Sequence, residues 1–284
     1  MKKILVFGAT GMAGHTIAMY LTQKDYDVTA YSRRTVPFCN SICGDAQNEE
    51  LIRRTLQEGE YDAAINCIGM LNKSCDEFPD RAVYVNSYFP HMLASATKNT
   101  RTRIIHMSTD CVFSGNSGPY YENSFKDGKT FYDRTKALGE LNDSKNLTFR
   151  NSIVGPDTNP AGIGLFNWFM KQKDDITGYD GVNWTGVTTL TLAKAIEAAL
   201  QEELTGVYNL VNNTSITKYE MLQEFNQIMG KGITIHKSND VKTNKVLINT
   251  RKDFDFIVPS YHEMFVDMGN WISDHKEIYG HYFI

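Results

Sequence analysis

Ile4-Leu5-Val6-Phe7-Gly8-Ala9-Thr10-Gly11-Met12-Ala13-Gly14 is the stretch that decides the fold. An apolar run enters a glycine-rich turn, and Ile17, Ala18 and Leu21 then recur at helical spacing. The pattern is strand, tight turn, helix. Gly8 permits the turn, Gly11 lets the backbone approach a pyrophosphate, and Gly14 lets the helix pack closely on the strand. The phosphates of a dinucleotide would rest on the amides that open the helix, around Thr10, Met12 and Ala13. The spacing is G-x-x-G-x-x-G, one residue longer than the G-x-G-x-x-G of simple dehydrogenases.

The segments that follow supply the rest of a dinucleotide site. A second strand, Val28 to Tyr31, runs into Ser32-Arg33-Arg34. An acid at this place would bind the ribose hydroxyls of NAD, whereas arginine suits a bidentate grip on a 2′-phosphate. NADPH is therefore the expected cofactor, with NADH left open. Asp45, beside Ala46, is placed to hydrogen-bond the adenine. A buried strand, Ala63 to Gly69, ends in Cys67, Ile68 and Gly69, where backbone comes close to the cofactor. A further strand, Arg103 to Met107, runs into Ser108-Thr109-Asp110-Cys111. Ligands of open parallel sheets bind outside the carboxyl ends of the strands, and Thr109 stands at one. Its hydroxyl is suited to a substrate oxygen.

Tyr132 and Lys136 have the spacing Y-x-x-x-K, which puts both side chains on one helix face. A free phenol titrates near pH ~10. A nearby ammonium is expected to lower that value and make Tyr132 a usable general acid.

These residues together resemble a family. Gly8, Gly11 and Gly14, then Ser108-Thr109-Asp110, then Tyr132, Lys136 and Gly139-Glu140 resemble the extended short-chain dehydrogenase/reductases. Within them the chain is most similar to dTDP-4-dehydrorhamnose reductases, whose S-T-D-Y-V-F-x-G is matched by residues 108–115. Pro119-Tyr120 and Glu122 resemble the same subgroup. The resemblance is clear up to about residue 155 and looser afterwards. It implies that Thr109 holds a carbonyl, Tyr132 protonates it, and Lys136 tunes Tyr132 and binds the nicotinamide ribose. It also implies cofactor contacts at Ser108 and at Asn86, which would extend the active-site network. Asp110 and Cys111 would face the substrate. Cys111 departs from the subgroup's tyrosine, which affects the choice of sugar more than the chemistry. The related 4,6-dehydratases resemble T-D-E at this place. A thiol, with an ordinary pKa near ~8.5, is a poor replacement for that glutamate, so dehydration is disfavoured.

The whole chain of 284 residues is 42% hydrophobic, enough for a sizeable core. Its net charge of −4 gives no reason to expect nucleic-acid binding. The five cysteines form no C-x-x-C, and the seven histidines have no metal-ligand spacing. Neither a disulfide nor a metal site is expected, although some relatives are described as magnesium-dependent. Met1-Lys2-Lys3 before Ile4 to Phe7 is too short a run for a signal peptide, and nothing approaches the ~18 apolar residues of a membrane span. A cytoplasmic protein is expected.

The fold class expected is α/β, a Rossmann-type doubly wound parallel sheet with a smaller C-terminal substrate-binding region. Residues 1–155 would form the dinucleotide-binding domain, with a return near 185–211. Residues 156–184 and 212–284 would form the substrate region. Leu147 to Gly155 reads as one strand with its exit, Val207 to Val211 as a strand rejoining the core, and Phe89 to Thr97 as a helix. Tyr219 to Met229 and Tyr261 to Tyr279 are also expected as helices. Trp184, Lys171 and Arg251 are candidates for a base and a diphosphate. The activity expected is NADPH-dependent reduction of a 4-keto-6-deoxy sugar on a nucleotide diphosphate, the last step towards dTDP-L-rhamnose. Two alternatives stand beside it. One is an epimerase of the same superfamily. The other is a non-catalytic subunit such as the regulatory subunit of methionine adenosyltransferase. The resemblance leaves a homodimer open, and no stripe of the sequence marks an interface.

Overall fold

The computed structural model describes residues 1–283. Its centre is a parallel sheet of seven strands: β1 (Lys3–Phe7), β2 (Asp27–Ser32), β3 (Asn40–Cys43), β4 (Ala63–Asn66), β5 (Arg103–Met107), β6 (Leu147–Arg150) and β7 (Gly206–Asn209). They lie in the order β7-β6-β5-β4-β1-β2-β3. The order reverses between β1 and β4, and that switch point opens a crevice at the carboxyl ends of the strands.

Period-two alternation divides the core between the two faces of the sheet. Ile4 and Val6 of β1 point into one cluster, and Leu5 and Phe7 into the other. The first face is covered by α1 (Met12–Gln23) and, later in the chain, by the helix Thr189–Gln201. The second is covered by α2 (Glu49–Glu58) and α3 (Phe89–Ala96). Burial on both faces explains why these strands read as continuous apolar runs.

Three boundaries differ from the sequence reading. The stretch Leu147 to Gly155 is two strands. β6 stops at Arg150, whose side chain is drawn to Glu140, and Ser152–Val154 pairs with Gly186–Thr188 outside the main sheet. The helix before β5 starts earlier than Phe89, with a turn at Pro79–Ala82 and a π-helical turn at Val83–Tyr88. The tail helix α5 (Tyr261–Asp274) breaks at His275 before a last turn, Lys276–Tyr279. The next element of the core behaves as expected, since β7 pairs in parallel with β6. Between α3 and α5 the chain also forms α4 (Phe131–Leu138) and the helix Lys218–Ile228.

The chain beyond residue 155 adds small sheets. Ile176–Tyr179 pairs with Ile235–Ser238. Val182–Trp184 lies between Ile216–Thr217 and Thr243–Asn244. Capping boxes at Thr217/Glu220 and Ser260/Glu263 fix the starts of the helices that follow. No helix among the described residues is long and apolar enough to cross a membrane.

Candidate active site

The glycine turn is built to bring backbone close. Gly8 has φ +79°, a conformation side chains rarely adopt, and its N–H donates to the Tyr31 carbonyl at 2.9 Å. A Cβ on Gly14 would lie 2.2 Å from the Gly8 carbonyl oxygen. Gly11 caps α1 without a side chain to occupy the first-turn amides. Those amides and the helix dipole suit an anionic pyrophosphate. The turn is also tied to the chain's tail. Nδ1 of His15 donates to the Gly11 carbonyl at 2.9 Å, and the Tyr279 hydroxyl donates to Nε2 at 2.7 Å. Burial lowers the His15 pKa and keeps the ring a neutral relay.

At the far end of the crevice, Ser32 is buried and donates to the Arg34 carbonyl at 2.7 Å. Arg33 and Arg34 are exposed, and no ion pair among the described residues engages them. Asp45 is exposed too, and its carbonyl accepts from the Tyr31 hydroxyl at 3.0 Å. The Ala46 carbonyl accepts from Tyr84 at 3.1 Å. Beyond β4, the Cys67 amide donates to the Phe7 carbonyl at 3.1 Å, and the Ile68 amide to Asn66 at 3.1 Å. Burial pushes the Cys67 thiol up to about 12.

Asn86 is fully buried in the π-helical turn. Its Oδ1 accepts from the Met70 amide at 2.9 Å, and its Nδ2 donates to the Met70 carbonyl at 3.1 Å and to Thr135 at 3.2 Å. It therefore clamps the strand exit beside Gly69 to α4.

Thr109, Tyr132 and Lys136 come together at the ends of β5 and α4. Thr109 is 8% exposed; its Oγ1 accepts from the Cys111 amide at 3.1 Å and donates to Asp110 at 3.1 Å. Tyr132 is 9% exposed. Burial pushes its phenol far above the ordinary value, the neighbouring Cys111 adds to the push, and a hydrogen bond with Thr109 works against both. The expected lowering of Tyr132 by Lys136 is corrected by this geometry. The Lys136 ammonium is turned to the Met107 carbonyl at 2.7 Å, and desolvation of the phenol prevails. Burial also brings Lys136 down to about 8, against the pull of Glu140 and the Cys67 and Cys75 thiols.

Ser108, expected at the cofactor, gives its hydroxyl to Glu140 at 2.7 Å. Glu140 in turn holds Arg150 through two bonds of 2.8 Å each, and Lys126 at 3.1 Å. This network is anchored beneath the carboxyl end of β5.

Around the mouth the structure redistributes roles. Trp184 is only 4% exposed and packs against Tyr261, so its ring is core rather than an open platform for a base. Arg251 donates to the Thr205 and Val207 carbonyls at 2.6 and 3.0 Å and pairs with Asp253. It serves the amino-terminal end of β7, away from the crevice. Lys171 caps a short helix, exposed. The sequence reading missed Lys218 and Lys245, whose side chains act on Asp110 and Cys111. Lys218 carries one local signal: it opens a helix, where the macrodipole disfavours a cation. Burial, with Asp110 beside it, pushes the Cys111 thiol up to about 12, which leaves it a neutral neighbour and no base. No group of three or more metal-ligating side chains occurs among the described residues.

A doubly wound parallel sheet with a glycine-cradled helix at its switch point, and with threonine, tyrosine and lysine gathered at the adjoining strand ends, defines the extended short-chain dehydrogenase/reductases as the class. Within that class the chain belongs to the family described as RmlD substrate binding domain, whose model matches residues 1–245. It is 28% identical over 286 residues to the dTDP-4-dehydrorhamnose reductase of Salmonella typhimurium, covering 91% of this chain and 94% of that one. It is also 28% identical over 228 residues to the spore coat polysaccharide biosynthesis protein SpsK of Bacillus subtilis, covering 78% and 77% of the two. Among solved structures, the dTDP-4-dehydrorhamnose reductase of Bacillus anthracis in complex with NADP superposes with a TM-score of 0.80 at 18% identity, over 94% of this chain and 99% of that one.

Proposed function

We propose that the protein is an NADPH-dependent reductase of the C4 keto group of a nucleotide-linked 4-keto-6-deoxy sugar, of the dTDP-4-dehydrorhamnose reductase type. The observation that carries this reading is the gathering of buried Thr109, Tyr132 and Lys136 at the carboxyl end of β5, where Tyr132 packs against Cys111 and Lys136 bonds the Met107 carbonyl, in the same parallel sheet as the strand that feeds the glycine turn. The kinship with reductases supports it. The glycine turn and Arg33–Arg34 would hold NADPH, which would supply the hydride. Thr109 and Tyr132 polarise the substrate carbonyl by hydrogen bonds, as an oxyanion site does, and Tyr132 gives its proton to the developing alkoxide. Lys136 orients the nicotinamide ribose and replenishes charge beside the phenol. Segments 156–184 and 212–284 form the substrate-binding region. The high resting pKa of Tyr132 suits an acid that stays protonated until charge develops on the substrate oxygen.

The test follows NADPH absorbance with dTDP-linked 4-keto-6-deoxy sugar made in situ by a dehydratase and epimerase, with UDP and GDP counterparts in parallel. Oxidation confined to one carrier establishes the reductase and its substrate class. NADPH binding without oxidation of any of them sinks this reading.

Two variants probe the cofactor site. Gly14→Ala forces a methyl into the Gly8 carbonyl. Overpacking of that kind costs about 1–3 kcal/mol of stability, so the melting temperature is expected to fall by several degrees, and NADPH affinity to weaken in a calorimetric titration because relief of the clash must shift the turn. Replacing Arg33 and Arg34 together by Ala removes charge-assisted contacts worth about 1.5–3 kcal/mol each. The Kd for NADPH is expected to rise at least about tenfold while that for NADH stays nearly constant. Equal losses for both cofactors would contradict the 2′-phosphate assignment.

A further inference from the structure

The strand Val182–Trp184 presents two lysines, one from each flank. Asn183 is opposite Thr217 on one side and Asn244 on the other. Lys218 and Lys245 are the next residues of those two neighbours, so they leave the small sheet from either side of the same position. Flanking strands stand about 10 Å apart, a span that two long side chains close easily. The Lys218 ammonium stands 5.3 Å over the Trp184 ring, held by the face of an indole that is itself fixed against Tyr261. The Lys245 side chain packs beside Gly115, in the loop that follows Asp110 and Cys111, and its ammonium lies in the field of both. Both therefore converge on Asp110–Cys111, the two residues directly after Thr109.

The charges there do not balance. Asp110 is one carboxylate facing two ammonium groups, and its Oδ1 is already engaged by Thr109. Asp133, the other acid near Lys245, is committed to the Lys129 and Thr130 amides at 3.1 Å each. Among the described residues neither lysine closes an ion pair. Lys218 is half-buried at a helix start, where desolvation and the dipole both oppose a cation. An arriving anion relieves both. Burial has brought Lys218 to about 8, against the pull of Asp110 and Cys111, so the group is poised for such a partner.

The geometry points to Lys218 and Lys245 as a two-sided grip on the diphosphate of the substrate, an assignment that rests on the nucleotide-sugar reading above. The grip places the phosphorylated end of the sugar beside Asp110 and Cys111 and so aims the ring at Thr109 and Tyr132. It replaces Arg251 and Trp184, which the fold uses elsewhere.

The experiment titrates NADPH-saturated full-length protein with dTDP, UDP and GDP by calorimetry, for the native chain and for Lys218→Met, Lys245→Met and Lys218→Arg. NADPH affinity and melting temperature report on folding. For the nucleoside diphosphate that the native chain binds, Kd is expected to rise about tenfold or more in each Met variant, and Lys218→Arg is expected to retain most of the affinity. The salt dependence of binding becomes shallower in the Met variants. Unchanged affinity in both Met variants overturns the grip and leaves the reductase reading standing. A native chain that binds NADPH but none of the three diphosphates overturns both. If the variants lose affinity for UDP-glucuronate but not for UDP-glucose, the lysines read a sugar carboxylate and the diphosphate assignment falls.

Discussion

Tyr132→Phe is expected to lower turnover by about 10²–10⁴-fold while leaving the melting temperature and NADPH affinity nearly unchanged. The substitution removes one oxygen and leaves a ring of the same shape. That ring packs with Cys75, Ala82, Met70, Cys111 and Phe131, so no cavity opens. Thr109 keeps its bonds to the Cys111 amide and to Asp110. What is lost is the proton that neutralises the alkoxide, and with it one of the two hydroxyls that polarise the carbonyl. Single-turnover rates measured with NADPH and the sugar carrier identified above check this directly. A Phe variant with native turnover would remove Tyr132 from the chemistry. The pH profile of the native enzyme gives a second reading. Burial brings Lys136 to about 8, so its positive charge is present below that pH and lost above it. The rate is expected to fall on the alkaline side as the charge disappears.

The parts of this site that the sequence disclosed are those encoded by short spacings. The glycine turn, the strand ends after β2 and β5, and Tyr132 with Lys136 each depend on residues within about one helical turn or one strand of each other. The parts it concealed depend on partners far along the chain. Trp184 looked like a free aromatic because Tyr261, which covers it, is distant in sequence. Arg251 looked like an anion ligand until Thr205 and Val207 turned out to present their carbonyls to it. The break after Arg150 is of the same kind, since Arg150 turns to Glu140 and Ser152–Val154 finds its partner strand far along the chain, at Gly186–Thr188. Lys218 and Lys245 meet because two separate strands flank Asn183. Asn86 combined both situations: the resemblance placed it in the active-site network, and a π-helical turn carries it inward, where its partners Met70 and Thr135 lie far apart in the chain. Long-range pairing is what short spacing leaves unread.

Glu140→Ala is expected to be the most destabilising change near the site. The Glu140 and Arg150 side chains are 1% and 2% exposed and share two bonds of 2.8 Å. Removing one member of such a pair strands a buried charge and costs about 3–5 kcal/mol. Arg150 retains the Glu122 carbonyl and Asn209, both at 3.3 Å, and the Phe113 ring at 5.0 Å, none of which carries a negative charge. At about 2–4 °C per kcal/mol for chains of this size, the melting temperature falls by roughly ten degrees. Burial works upward on the Glu140 carboxyl, yet Arg150 and Lys126 hold it below its ordinary value. The stabilisation is therefore present at neutral pH and lost as acid protonates the group, so the native chain loses this contribution in acid and the Ala variant has none to lose. Glu140→Gln separates support from electrostatics. It keeps an acceptor for Ser108 or Arg150 but removes the charge that draws the Lys136 pKa upward. The alkaline limb of its rate profile is expected to move to lower pH, a shift that loss of folding alone does not produce. A Gln variant with a native profile and lowered stability would confine Glu140 to holding Arg150, and would free Lys136 from its influence.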